Sequence, residues 1–354
     1  MPHLIREYWM AISEMAEPIS NNNSAKDMSA DYSNGISTLR FLKTTDRSLV
    51  SCYPLLSIDR ALEEAGVESL SNNLGKSTLF VAKVLSRLNL MRNLRRSAVG
   101  PVFVGFMGYS ENKTFPFSYW NELVPYCFDC WPNTYERWAA FFQRHRVRIA
   151  FFTARQSAQY FARLLPDMHS IWLPEATDPL DYCSSRSWAE RDIDVLELGR
   201  KNDAYHEKIA AQLAKANRTH YFEKVKGEII FPDRSDLLDG FARTKLSICF
   251  PSSQTHPERS GSVETVTHRY FESMASKCLI VGHAPQELVD LFGFNPVVEV
   301  QPGSEFEQIE SLLNDPEGFH RVVERNYERL LEVGTWRSRI ATILEAVASL
   351  RAEH

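Results

Sequence analysis

Short apolar runs alternate with amphipathic stretches along much of the chain. In the first half, four apolar runs have the length and composition of buried strands: 101–108, 124–131, 147–152 and 169–174. Between them, residues 134–145 and 154–165 carry apolar side chains at helical spacing. Strands that alternate with helices favour a parallel sheet covered on both faces.

The pattern stops at a turn-rich segment, 176–190, and then starts again. Five more strands are predicted at 192–199, 219–225, 246–251, 278–283 and 296–300, with helices at 204–217 and 235–245. From Ser304 onward the chain is predicted to be largely helical. We therefore predict an irregular segment over 1–38, a first α/β lobe over 39–180 and a second over 181–354. Open parallel sheets bind ligands at the carboxyl ends of their strands, so the cleft between the lobes is the expected site.

Composition supports a globular chain of two domains. The 354 residues are 44% hydrophobic and 24% charged, which is ordinary for a soluble protein. No run reaches the roughly 20 apolar residues of a membrane span, and the first 20 residues do not resemble a signal peptide. The expectation is a cytoplasmic protein.

Charge is spread unevenly along the chain. The net charge is −3 over residues 1–38, +6 over 39–175 and −8 over 176–354, which add up to the overall −5. Part of the basic excess lies in 83–96, where five Lys and Arg residues interleave with apolar ones. This segment fits either a core-facing helix with a basic outer face or a peripheral contact with an anionic membrane surface. No nucleic-acid recognition motif accompanies it, so no nucleic-acid partner is expected.

Several familiar motifs are absent or incomplete. Cys127 and Cys130 form a C-x-x-C but lack the second pair that a zinc site needs, which favours buried thiols over metal or redox chemistry. The segment 72–78, NNLGKST, resembles a phosphate-binding loop, but Leu70 stands where that motif needs glycine. The chain contains no G-x-G-x-x-G, H-E-x-x-H or G-x-S-x-G. We therefore predict no metal and no bound cofactor.

The stretch ETVTHRYFESMASKCLIVGHAP, residues 264–285, carries the strongest candidate chemistry. Glu264 and Glu272 stand eight positions apart, and a helix over 264–276 would place them at opposite ends of one broad face. Ser262 is the predicted N-cap, with Thr265 and Thr267 as alternatives. The amino end of such a helix suits a phosphate or diphosphate. Spacing alone leaves a functional site and a surface helix equally supported.

The same stretch resembles the Glu-x7-Glu donor signature of retaining GT-B glycosyltransferases, the "group 1" nucleotide-sugar transferases. SICFPSS before it, RYFESMASKCLIV within it and APQELV after it resemble the family's strand, helix and turn. RYFESMA and the terminal helices are similar to the spore-maturation-protein-like branch. IDVLELGRK resembles the first strand of the donor lobe, and SIWLPEATDP the segment that closes the acceptor lobe. The resemblance covers about residues 169–350 and is only architectural over 39–168.

This resemblance implies a GT-B fold with two Rossmann-like domains, and a transferase that moves a sugar from a UDP- or GDP-sugar to an acceptor hydroxyl. It implies retention of configuration, no metal, and a glycan, lipid-linked or small-molecule acceptor, with a role in surface polysaccharide or glycoconjugate synthesis by analogy. Glu264 would contact the sugar, with His268 beside it in the predicted catalytic pair, and Glu272 would contact the ribose. The remaining predicted donor-binding residues are Arg200, Lys201, Lys208, Ser252, Thr265, Thr267 and Arg269. Arg200, with Lys201 or Lys208, would neutralise the diphosphate, and main-chain N–H groups around 265–267 would receive phosphate oxygens.

The chain departs from the family at three points. Thr265-Val266-Thr267 replaces the usual Gly-aromatic-Gly, which favours a non-catalytic GT-B-like binding protein or transferase subunit as the alternative function. The usual lysine after Gly-Arg has no unambiguous counterpart. Glu258, rather than Glu264, is an alternative first acidic residue because the preceding loop is long.

Several candidates also have purely structural interpretations. His268 fits a buried interior histidine, and Arg269 fits a structural partner of a glutamate. His256 and His283 flank the stretch on strand-end loops. In the first lobe, three residues follow predicted strands and are candidates to face the cleft: Tyr109, Asp129 and Arg155.

Overall fold

Two parallel sheets organise the part of the chain that the computed structural model describes. The described residues are 39–43, 53–71, 80–81, 84, 100–115, 117–119, 121–182, 185–225 and 227–352. They belong to a single contact unit, Gly35–His354. Three segments with sequence predictions lie outside the described residues: 1–38, 72–78 and all of 83–96 except Val84. The predictions made for them stay predictions.

The first sheet contains six parallel strands in the order β2-β1-β3-β4-β5-β6. Its strands are β1 (Arg40–Leu42), β2 (Glu68–Leu70), β3 (Pro101–Met107), β4 (Glu122–Phe128), β5 (Ile149–Phe152) and β6 (His169–Trp172). Its helices are α1 (Tyr53–Glu64), α2 (Tyr135–His145) and α3 (Arg155–Leu164). All four strands and both helices predicted after residue 100 are confirmed, because each combines a continuous apolar run or a helical stripe with clear turn residues at its ends.

The second sheet contains five parallel strands in the order β11-β10-β9-β7-β8. The strands are β7 (Ile193–Glu197), β8 (His220–Phe222), β9 (Thr244–Cys249), β10 (Leu279–Gly282) and β11 (Val298–Glu299). The helices are α4 (Asp203–Lys215), α5 (Arg234–Ala242), α6 (Ser252–Thr255), α7 (Pro257–Ser260), α8 (His268–Ala275), α9 (Gln286–Phe292), α10 (Glu305–Asn314) and α11 (Pro316–Val333). All five predicted strands are present here as well.

The last helix, α12 (Trp336–Ala352), returns to the first lobe. Trp336, Ile340 and Leu344 are buried in the core of the first sheet, together with Phe41 and Phe151. The sequence pattern assigned all terminal helices to the second lobe. An amphipathic stripe specifies that one face of a helix is buried but not which sheet buries it. For this reason the sequence pattern did not predict that α12 packs on the first lobe.

Strand order defines a crevice in the second sheet. β7 lies between β8 and β9, so the chain leaves β7 toward one edge and later passes to the other edge through β9. Right-handed crossovers therefore place α4 and α8 on opposite faces, and the carboxyl ends of β7 and β9 form a topological switch point. Among the described residues, no helix has the length and apolar character needed to cross a bilayer.

Candidate functional site

A glycine turn and an arginine meet at the carboxyl end of β7. Gly199 has a φ of 76°, in the left-handed region. A Cβ atom placed on Gly199 would lie 2.6 Å from Nη2 of Arg269, so a larger residue at this position would displace that guanidinium group. Arg269 stands in the first turn of α8, and the two sides of the switch point therefore touch through this pair.

Three guanidinium groups influence one another at this crevice. Burial and then the nearby charge of Arg259 lower the pKa of Arg200, and Arg269 adds a smaller effect in the same direction. The carboxylates of Asp129 and Glu258 oppose that shift. Within the described residues, none of the three arginines forms a salt bridge, and Arg269 Nε is buried without a hydrogen-bond partner. We call Arg200, Arg259 and Arg269 the arginine cluster.

Arg259 is absent from the predicted site residues. It lies in α7, in the loop after β9, and its guanidinium carbon is 4.9 Å from the centre of the Trp131 ring in the first lobe. In the sequence, the feature that could have indicated Arg259 as a site residue is its position on a long loop that follows a buried strand. Its closeness to Arg200 depends on tertiary structure that the sequence pattern does not specify.

His256 lies beside the arginine cluster. Burial, followed by the charges of Arg200 and Arg259, lowers the pKa of His256 to about 4. Its Nδ1 is 2.7 Å from Thr255 Oγ1, and its Nε2 is buried without a hydrogen-bond partner. At neutral pH this side chain is therefore an uncharged imidazole in a positively charged surrounding.

The first lobe contributes Asp129 to the same region. Asp129 follows β4 in the left-handed conformation, with a φ of 49°. Burial raises the pKa of Asp129, whereas Arg259 and Arg200 act to lower it. Of the three first-lobe candidates, Asp129 is thus the one that interacts electrostatically with the arginine cluster.

The other two first-lobe candidates have different partners. Tyr109 donates a hydrogen bond of 3.0 Å to Glu111. Arg155 pairs with Asp290, and its guanidinium lies 4.1 Å from the centre of the Trp172 ring. Both side chains are therefore used in structural contacts.

The predicted helix over 264–276 is wrong in its first four residues. α8 begins at His268 with Thr267 at the N-cap position, and residues 264–267 have no regular secondary structure. Ser262 is not the N-cap, and Glu264 and Glu272 do not share a helix face. The reason is tertiary, because Glu264 N donates to Gln156 Oε1 of the first lobe at 2.7 Å.

Glu287 joins the same loop to the first lobe. Its Oε1 accepts a hydrogen bond of 2.6 Å from Val266 N, and its Oε2 accepts one of 2.9 Å from Arg155 N. Burial raises the pKa of Glu287 to about 7. The N–H of Val266 is thus already used, so it does not match the prediction that main-chain N–H groups over 265–267 receive phosphate. Thr265, also a predicted donor contact, is buried, and its hydroxyl lies 3.4 Å from Thr153 O.

Glu272 and His268 lie in the interior behind the crevice. Tyr182 donates a hydrogen bond of 3.0 Å to Glu272, and His268 Nε2 is 3.6 Å from the same carboxylate oxygen. The His268 ring is stacked against Trp336, and burial lowers the pKa of His268. The His268 side chain thus lies mostly in the interior, but its Nδ1 has no hydrogen-bond partner among the described residues, and its role in a catalytic pair stays a prediction.

The chain is similar to known glycosyltransferases in part of its sequence and in its fold. Residues 225–345 match the family model described as "Glycosyl transferase-like". An alpha-glucosyltransferase in complex with UDP and a 13-mer DNA has a TM-score of 0.55 at 10% identity, covering 88% of this chain and 99% of that chain. HepE of Anabaena in complex with UDP and glucose has a TM-score of 0.54 at 12% identity, with 88% and 99% covered. A glycosyltransferase from Rickettsia africae ESF-5 has a TM-score of 0.54 at 9% identity, with 88% and 98% covered. A sequence comparison with curated proteins gives no significant match.

The chain has the GT-B fold, and residues 225–345 are similar to the glycosyl transferase-like family. The predicted fold class is confirmed, and the matched domain extends over most of the second lobe of this GT-B chain. The arginine cluster stands at the switch point of that lobe, and Asp129 faces it from the other lobe.

The remaining predicted donor contacts have three different environments. They are Lys201, Lys208 and Ser252. Lys201 Nζ donates to Glu223 O at 3.1 Å beside β8, while Lys208 Nζ pairs with Glu305 at 2.5 Å. Ser252 is buried as the first residue of α6, and its Oγ has no hydrogen-bond partner among the described residues.

A cavity of about 300 Å³ opens between α4 and the ends of β9, β10 and β11. The residues that line it include Asn202, Tyr205, Lys208, Phe250, His283 and Glu299.

One cluster within the described residues has the composition of a metal site. Ligand atoms of Glu197, His206 and His220 lie within 4.8 Å of one another. Both imidazoles are hydrogen-bonded to the same oxygen, Glu197 Oε2, at 2.5 and 2.9 Å. These bonds lower the pKa of Glu197 against the effect of burial. Among the described residues, Glu197 Oε1 and His220 Nδ1 are buried and have no hydrogen-bond partner.

Proposed function

We propose that the protein is an enzyme that transfers a sugar from a nucleotide-diphosphate sugar to an acceptor hydroxyl. The observation that carries this proposal is the arginine cluster, three guanidinium groups that form no salt bridge with any described residue at the switch point of a GT-B donor lobe. The leaving nucleoside diphosphate gains negative charge as the glycosidic bond breaks. Fixed guanidinium groups bind such oxygens through charge-assisted hydrogen bonds.

The cavity beside α4 suits the nucleoside part of the donor. The cavity lies near the switch point, because only two residues separate Arg200 from the start of α4. Tyr205 and Phe250 supply aromatic surface, and Asn202 and Lys208 supply polar groups. Apolar walls with a few fixed polar groups are typical of small-molecule sites.

The finer features of the reaction belong to the same proposal. We infer that the cationic side chains, rather than a metal ion, carry the phosphate charge. The resemblance to retaining enzymes leads us to propose retention, with attack on the face from which the diphosphate departs. In that geometry the departing phosphate helps to deprotonate the acceptor hydroxyl, and Asp129 lies on the acceptor side.

Donor and acceptor are proposed from chemistry and from the similar structures. Two of those structures contain UDP, together with DNA in one and glucose in the other. UDP-glucose is therefore the first donor to test, although GDP-sugars fit the same clamp. We propose a glycan, lipid-linked or small-molecule acceptor in the cytoplasm, with a role in surface polysaccharide or glycoconjugate synthesis.

Nucleotide release tests the proposal directly. The purified protein is incubated with UDP-, GDP- and ADP-sugars, and free nucleotide is measured with and without a panel of acceptors that includes DNA. We expect release from at least one donor and binding of the matching nucleotide by calorimetry. A protein that binds none of these nucleotides would contradict the proposal.

A second function, a non-catalytic nucleotide-sugar or glycan binding protein or transferase subunit, is favoured by one observation. Val266 stands where the family has an aromatic residue between two glycines, and its N–H is already bonded to Glu287. Nucleotide release from a bound donor separates the two functions. A transferase should bind the nucleotide and release it from the donor sugar when an acceptor is present, whereas a binding protein should show the affinity without the release.

A further inference from the structure

His283 has a fixed backbone at the mouth of the cavity. It follows β10, where Gly282 passes so close to β9 that an added Cβ would lie 1.8 Å from the carbonyl oxygen of Cys249. Tyr270 donates a hydrogen bond of 2.6 Å to the carbonyl oxygen of His283. The position of the imidazole is therefore set by the core of the sheet and not by a mobile loop.

Glu299 fixes the orientation of the His283 ring. Its Oε2 lies 3.0 Å from His283 Nδ1, and its Oε1 accepts from Ala284 N at 2.9 Å and from Asn295 Nδ2 at 3.0 Å. Because both carboxylate oxygens of Glu299 act as acceptors here, the hydrogen between His283 and Glu299 belongs to Nδ1 in the neutral tautomer of the ring. The lone pair of Nε2 then points away from Glu299.

On its other side, His283 faces a second acceptor. His283 Nε2 is 3.7 Å from Glu264 Oε1, which is too long for a hydrogen bond. The side chains of His283 and Glu264 are 36% and 35% exposed, so both atoms are accessible to a ligand. The main chain of Glu264 is held in place by Gln156. The ring nitrogen and the carboxylate oxygen thus stand side by side, and no hydrogen bond between described residues joins them.

We propose that His283 Nε2 and Glu264 together bind two adjacent hydroxyl groups of a sugar. Adjacent hydroxyls on a sugar ring present two donors side by side, which matches two acceptors that cannot bond to each other. This inference rests on the proposed function, because the sugar is either the ribose or the transferred sugar of the same donor. Glu299 acts as a positioning residue, since it selects the tautomer that leaves Nε2 free to accept.

Binding measurements with three ligands distinguish the two sugars. The ligands are UDP, UDP-glucose and 2′-deoxy-UDP, and the proteins are wild type, His283→Leu, His283→Gln and the surface control His320→Gln. Loss of one neutral hydrogen bond predicts a roughly 3- to 10-fold weaker Kd for His283→Leu. A loss confined to UDP-glucose assigns the diol to the transferred sugar, and a loss for UDP and UDP-glucose but not for 2′-deoxy-UDP assigns it to the ribose. His283→Gln retains an acceptor and should recover part of the affinity.

A spectroscopic measurement tests the acceptor pair without any ligand. Long-range 15N NMR of the wild type should show His283 protonated at Nδ1 alone, and Glu299→Gln should lose that preference. An imidazolium, an Nε2–H tautomer, or unchanged Kd values for His283→Leu with all three ligands would overturn the inference. A wild type that keeps the Nδ1–H tautomer but binds no nucleotide would instead overturn the proposed function, and this inference with it.

Discussion

Residues 256–267 and helix α8 follow each other in sequence but are held by different parts of the molecule. α8 is packed into the second lobe, where Tyr270, Phe271 and Met274 are part of the core. The preceding loop instead contacts the first lobe, through Gln156 on Glu264 and through Trp131 on Arg259. The two glutamates of the Glu-x7-Glu signature therefore have different environments, one at the surface between the lobes and one inside.

This difference separates what local sequence determines from what the fold as a whole determines. Helix α8 forms from its own amphipathic pattern and has one obvious place to bury its apolar face. The loop has no such pattern, and its conformation depends on hydrogen bonds from residues more than 100 positions earlier in the chain, as with Gln156 and Glu264. Variants that disturb the loop without touching α8 should thus affect lobe contact and ligand binding more than folding of the second lobe.

The largest expected effect concerns Glu287, which joins the loop to the first lobe. Its folded pKa of about 7 lies above the ordinary value of 4.5, so the folded state binds the proton more tightly than the unfolded state. The unfolding free energy should therefore fall as pH rises from about 4.5 to about 7 and then level off, by on the order of 3 kcal/mol. Urea unfolding at a series of pH values measures this slope.

Two variants check that the slope belongs to Glu287. Glu287→Gln should make the fall between pH 5 and pH 7 shallower than in the wild type, because the variant lacks the group that titrates near pH 7. Glu310→Gln is the matched control, because the salt bridge with Arg218 lowers the pKa of Glu310, so its titration lies below that range. A Glu287→Gln profile as steep as that of the wild type would show that the loop contact does not titrate.

The second effect concerns ligand binding by the arginine cluster. Arg269→Ala removes a guanidinium group that forms no salt bridge with any described residue, so the unliganded protein should be no less stable. Hydrogen bonds to charged groups contribute about 1.5–3 kcal/mol each, which predicts a roughly 10- to 100-fold weaker Kd for UDP. Calorimetry with UDP at two salt concentrations measures the change.

Arg243→Ala is the control for Arg269→Ala. Arg243 is paired with Asp192, on a different surface from the cluster. UDP affinity should be unchanged in Arg243→Ala, and the salt dependence of binding should be weaker in Arg269→Ala than in the wild type. Equal losses in both variants would indicate a general effect of net charge.

The sequence predicted much of this region, and what it missed has a physical cause. Every strand predicted after residue 100 is present, because buried parallel strands are continuous apolar runs between turns. The family resemblance named Arg200 and Arg269 as donor contacts, and the structure brings them close together, while their role in binding stays a prediction. The sequence did not predict that Arg259 lies in the cluster or that α12 packs on the first lobe. Both depend on contacts between elements that are far apart in the sequence. The irregular conformation of 264–267 was missed for the same reason.

A third, smaller effect separates backbone strain from displacement of Arg269. Gly199→Ala and Gly293→Ala place alanine at φ values of 76° and 79°, which should cost each protein about 1–2 kcal/mol. Only the first new methyl group meets a neighbour, Arg269 Nη2, while nothing lies within 4 Å at Gly293. Similar losses in thermal stability are expected, with weaker UDP binding in Gly199→Ala alone. Weaker binding in both would assign the effect to the backbone instead.

The smallest effect is expected at the ion pair between Arg155 and Asp290, which also joins the lobes. The two side chains are 30% and 41% exposed, so solvent screens their attraction, and exposed pairs contribute about 0.2–1 kcal/mol. A double-mutant cycle with Arg155→Ala and Asp290→Asn isolates this coupling from the contact of Arg155 with Trp172, and the coupling should shrink with added salt. A coupling of several kcal/mol would mean that exposed side chains hold the lobes together. A small one leaves that role to Glu287, whose two buried hydrogen bonds to main-chain N–H groups are independent of the side chain at position 155.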